Sequence, residues 1–97
     1  MSRIKVDSDL KDIMPEFLGL LEKELLMIDD AFQRQDLPFI MSFAHKLKGD
    51  APGYGLRDLG DLGALLEVEC RNGSLPASFP IFEKIKAFLK HIEIEYI

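Results

Sequence analysis

The stretch Asp36-Leu37-Pro38-Phe39-Ile40-Met41-Ser42-Phe43-Ala44-His45-Lys46-Leu47-Lys48-Gly49-Asp50 decides how this chain folds. Asp36 is a natural helix N-cap, and Pro38 is tolerated in the first turn, where its missing N–H would have no partner. Phe39, Ile40, Phe43, Leu47 and Ala51 then recur at the helical period. This second helix is expected to end around Gly53-Tyr54-Gly55, with Gly55 suited to a left-handed position.

The same period repeats on both sides. Upstream, Leu10, Ile13, Met14, Phe17, Leu21, Ile28 and Phe32 form a stripe that Asp7 or Ser8 can cap. Pro15 interrupts it, which predicts either a kink or a short leading helix followed by a long one with Pro15 near its first turn. Downstream, Leu56, Leu59, Leu62, Gly63, Leu66 and Cys70 form a third stripe that Asn72-Gly73 stops. A fourth helix begins between Ser74 and Pro80 and carries Phe79, Phe82, Ile85, Leu89 and Ile92; Pro76 and Pro80 both resemble first-turn prolines. Only Ile92–Ile97 alternates in the manner of a strand. Short links predict an all-α, antiparallel up-down four-helix bundle, with a short N-terminal extra helix or a kinked first helix. Residues 1–97 read as one domain.

Composition narrows the function. The chain has 12 basic and 17 acidic residues and a formal charge of −5, which disfavours nucleic acid and anionic membrane surfaces as partners. Its one cysteine, Cys70, makes no intrachain disulfide and anchors no zinc site alone. No apolar run is of membrane-spanning length, the first eleven residues lack the apolar core of a signal peptide, and no nucleotide-binding loop is present. A cytoplasmic, monomeric protein without metal, cofactor or autokinase element is expected.

One helix carries the candidate chemistry. At about 100° per residue, Met41, Ser42, Lys48, Gly49 and Pro52 all fall within about 60° of His45, while Ile40, Phe43, Leu47 and Tyr54 fall opposite. His45 is thus expected to face solvent, with Lys48 one turn along and Gly49 leaving the space over the ring open. A neutral imidazole offers one ring nitrogen as a nucleophile, and a neighbouring ammonium can stabilise a phosphoryl group. An exposed histidine on an amphipathic helix is also a common surface residue, and HxxKG is a short pattern.

The run Ala44-His45-Lys46-Leu47-Lys48-Gly49, followed by Gly55, Leu59 and Leu66-Glu67, resembles the histidine-containing phosphotransfer (HPt) domain family. Asp7-Ser8-Asp9-Leu10, Pro15-Glu16-Phe17-Leu18 and Ile92-Glu93-Ile94-Glu95-Tyr96 resemble its stand-alone bacterial type. The resemblance implies a four-helix bundle that relays a phosphoryl group between aspartates of receiver domains, in response regulators and hybrid sensor kinases. It implies that His45 is the phosphoacceptor at Nε2, that Lys48 contacts the phosphoryl group and that Gly49 is the open position beside the ring. Glu67 matches a family position that can hydrogen-bond the histidine, and an ordinary boundary glutamate is the competing description. The chain would be a phosphoryl carrier, not an enzyme.

Two residues depart from the family pattern. Asp50 stands where a small residue is usual and points toward the core boundary, which calls for a partner such as Arg57 or a lysine. Pro52 removes a helical hydrogen bond and is expected to kink the helix just past the site. Both leave room for a different function: a helical-bundle docking or scaffold module that binds receiver or other signalling domains without being phosphorylated. Of the remaining residues, His91 is expected to be an exposed histidine without function, and Cys70 a small buried hydrophobe. Gly60 and Gly63 are expected to allow close helix packing. The basic cluster from Lys84 to His91 complements a helix C-terminus. Leu18 and Leu26 lie off the main stripe, at the core edge or in an apolar docking patch with Met41 and Pro52 beside His45.

Overall fold

A computed structural model of the protein describes residues 2–97. Four helices account for most of the chain: α1 (Met14–Gln33), α2 (Leu37–Asp50), α3 (Arg57–Arg71) and α4 (Leu75–His91). The boundaries follow local chemistry. Asp36 caps α2, its side chain accepting from the Phe39 amide at 3.2 Å, with Pro38 in the first turn. Ser74 caps α4 in the same way through the Ala77 amide at 3.1 Å. Of the two candidate first-turn prolines, Pro76 takes that place and Pro80 lies inside the helix.

The chain before α1 is a short 3-10 turn, Ser8–Leu10, capped by Asp7, after which α1 starts with Pro15 in its first turn. A separate leading turn therefore replaces a kink. Past α2, a 3-10 turn over Ala51–Tyr54 ends at Gly55, which is left-handed at φ 77°. The Tyr54 ring stacks on Phe17 of α1 with centroids 3.8 Å apart.

The four stripes meet in one core. Ile28, Ile40, Leu56, Leu59, Leu66, Phe82 and Ile85 are essentially inaccessible, and each such side chain contributes about 1.5–3 kcal/mol by leaving water. Ile13 and Phe79, expected in the stripes, are instead exposed: Ile13 is the N-cap residue of α1, and Phe79 lies in the first half of α4, edge-on to Phe32.

The all-α expectation omits one feature. The chain ends pair as two parallel strands, β1 (Ser2–Val6) and β2 (Ile92–Tyr96), with Ile4 opposite Ile94 and Val6 opposite Tyr96. Val6 is buried under this pair, and Arg3 and Glu93 form an ion pair of 3.5 Å on its outer side. The alternation at Ile92–Ile97 is this strand. No helix among the described residues is long and apolar enough to cross a membrane.

Candidate functional site

The site forms where α2 and α3 come closest. A Cβ added at Gly63 would stand 2.8 Å from the Lys48 amide nitrogen and 3.0 Å from the Ala44 carbonyl oxygen. One added at Gly60 would stand 2.9 Å from the Pro52 ring. Two glycines a turn apart therefore let the helix backbones touch, as the close-packing expectation has it. Glu67, one turn further along α3, is carried to the flank of α2 beneath His45.

The Glu67 side chain is only 7% exposed, yet both its oxygens are engaged. Oε2 lies 2.6 Å from His45 Nδ1, and Oε1 accepts from Lys48 Nζ at 2.7 Å. Arg71, one turn along α3, approaches Oε2 at 3.6 Å. The Lys48 hydrogen bond holds the Glu67 carboxyl below its ordinary value; burial opposes this, and the His45 contact assists. An ionised carboxylate only accepts hydrogen bonds, so the proton of the Glu67–His45 contact is on Nδ1. In the neutral ring the lone pair is then on Nε2. The His45 side chain is 69% exposed, and Nε2 has no hydrogen-bond partner among the described residues. Glu67 therefore hydrogen-bonds the His45 ring across the helix pair.

Around the ring, His45, Met41, Ser42, Glu67 and Arg71 line one open depression. Gly49 is exposed, with empty space where a Cβ would stand. Lys48 sits beside the ring as its spacing predicts, but its ammonium is tied to Glu67.

The expectations for Asp50, Pro52 and Leu18 come out differently, whereas His91 is exposed and Cys70 buried as expected. Asp50 is exposed and lines the groove between α1 and α2, and no ion pair to Arg57 or a lysine forms among the described residues. It ends α2 at the rim of the bundle, where water solvates the carboxylate and no partner is required. Pro52 starts no kink within α2: the helix ends at Asp50, and the proline ring packs on Gly60 in the following 3-10 turn. Leu18 is half-buried against the core and does not line the depression at His45. Leu26 is 71% exposed on α1. His91 is exposed at the end of α4. Cys70 is buried against Ser78, and burial pushes its thiol up.

Arg71 is the site residue that sequence reasoning missed. Its signal was its place four residues after Glu67, hence on the same helical face. No group of three or more potential metal-ligating side chains occurs among the described residues.

A family model described as Hpt domain matches residues 9–95, nearly the whole chain. No curated protein and no solved structure matches it.

Proposed function

The chain belongs to the Hpt domain family, whose members carry phosphoryl groups on histidine in phosphorelays, and on that premise we propose that His45 relays a phosphoryl group between receiver-domain aspartates. The observation that carries this is the Glu67 carboxylate 2.6 Å from His45 Nδ1, on a side chain whose opposite ring edge faces solvent. A receiver domain docks on the exposed rim around His45, with Met41, Ser42, Gly49 and Pro52 in reach. The Nε2 lone pair attacks the phosphorus of the aspartyl phosphate. The N–P bond forms as the P–O bond to the aspartate breaks, and the carboxylate of the donor is restored. Nδ1 keeps its proton, so the ring becomes positively charged, and Glu67 sits where that charge develops. Lys48 adds a positive charge beside the transferred group. The reverse step passes the group to the aspartate of a second receiver.

The protein acts as a carrier, not as a kinase, and works as a cytoplasmic monomer between hybrid sensor kinases and response regulators. The test is transfer from a phosphorylated receiver domain to the chain, with His45→Gln and His91→Gln alongside. The His91 variant is expected to accept the group at the wild-type rate and the His45 variant not at all. Transfer to His45→Gln would remove His45 from the relay.

A further inference from the structure

Three groups converge on the Glu67 carboxylate, and they are not equally committed. His45 and Lys48 hold it by short hydrogen bonds, one on each oxygen. Arg71 reaches Oε2 only at 3.6 Å, beyond hydrogen-bond length, and its side chain is 63% exposed. It makes no other ion pair or side-chain hydrogen bond among the described residues. Its five N–H donors are therefore uncommitted. It also lines the depression that holds the exposed edge of His45, whereas Lys48 does not.

Building on the phosphohistidine reading above, we infer that Arg71 is the residue that grips the phosphoryl group once it is on His45. Moving Lys48 onto a phosphoryl group would strip a nearly buried carboxylate oxygen of its hydrogen-bond donor, which is costly. Moving Arg71, whose side chain is exposed, gives up one long ion pair and no hydrogen bond, so Glu67 loses far less. His45 and Lys48 keep both oxygens of Glu67 while it swings. The planar guanidinium also matches two phosphoryl oxygens at once, which an ammonium does not. Lys48 then holds Glu67, Glu67 holds the ring, and Arg71 closes over the product. The arginine near the end of α3 has a second role available, complementing the helix dipole, and that role is indifferent to whether His45 is phosphorylated.

The experiment labels the folded wild-type chain, Arg71→Ala, Arg71→Lys and Lys48→Ala with potassium phosphoramidate. It then removes the donor and follows the loss of phosphohistidine by intact mass at neutral pH. Circular dichroism checks that each variant is folded. Arg71→Ala is expected to take label on His45 and lose it about five- to tenfold faster than wild type. Arg71→Lys should fall between, because charge is kept and the fork is lost. In the wild type, the Arg71 Nε–H resonance should shift on labelling more than that of any other arginine. Wild-type lifetime in Arg71→Ala, with a faster loss in Lys48→Ala, would overturn the inference and assign the grip to Lys48. A wild-type chain that takes no acid-labile phosphoryl group would overturn the phosphohistidine reading itself, and the inference with it.

Discussion

Gly63→Ala adds one methyl group at the tightest point between α2 and α3. Its carbon would stand 2.8 Å from the Lys48 amide nitrogen, 3.0 Å from the Ala44 carbonyl oxygen and 3.2 Å from Leu47 Cβ. Two of these are backbone atoms of α2, so no side chain can rotate away. The helices must separate by about half an ångström to restore ordinary contact. Overpacking of this kind costs about 1–3 kcal/mol, and the better helix propensity of alanine returns up to about 1 kcal/mol. The net loss is about 1–2 kcal/mol, which lowers Tm by roughly 5–15 °C in a domain of this size. Gly49→Ala makes the same chemical change on α2 into empty space, so it should raise stability by up to about 1 kcal/mol. Thermal and urea unfolding followed by circular dichroism read both variants. The signs should be opposite. A Gly63→Ala chain as stable as wild type would refute the close backbone contact, and with it the reason Glu67 reaches His45.

Further consequences concern the site and the bundle. Gly49→Ala should slow transfer from a phosphorylated receiver domain while leaving labelling by phosphoramidate unchanged, since only a protein partner needs the empty space; equal rates with both donors would remove that role. The Glu67 carboxyl is held below its ordinary value of 4.5 chiefly by the Lys48 hydrogen bond, so the unfolded chain binds its proton first as pH falls. The stabilisation is therefore complete above that value and lost as pH drops through the folded one. Glu67→Gln should flatten this part of the acid unfolding profile, and an unchanged profile would contradict the assignment. Lys48→Ala removes the donor from Oε1 and should move the Glu67 carboxyl upward in a carbon-13 NMR titration, with slower phosphorylation of His45. Lys86 bonds Asp29 of α1 at 3.0 Å and stands over the Phe82 ring at 4.9 Å, so Lys86→Ala should cost about 1 kcal/mol in urea unfolding.

Much of this is legible in the sequence. The cap at Asp36 and the first-turn Pro15 are local signals, and each marks the boundary it suggests. Gly55 is left-handed, but it closes the 3-10 turn Ala51–Tyr54, because α2 already ends at Asp50. The start of α4 stays open between Ser74 and Pro80 in the sequence, and the Ser74 side chain on the Ala77 amide decides it. The face bearing His45, Lys48 and Gly49 follows from helical angle alone. What escaped depends on contacts between distant segments. Ser2–Val6 offers only Ile4 and Val6 as a pattern, and its partner strand lies at the opposite end of the chain. Arg71 reads as a basic residue at a helix end, and only the placement of Glu67 turns it toward His45. Helical angle points Asp50 toward the core boundary, but angle does not say where a neighbouring helix leaves a groove open.

The most direct test of the central claim needs no partner protein. The folded chain is treated with potassium phosphoramidate, and the product is examined by intact mass, acid lability and nitrogen-15 NMR of the imidazole. The expected result is one acid-labile phosphoryl group on Nε2 of His45, with the Nδ1 proton retained, present in His91→Gln and absent from His45→Gln. Modification at Nδ1, or equal labelling of His45 and His91, would contradict a ring held by Glu67 with Nε2 presented to solvent.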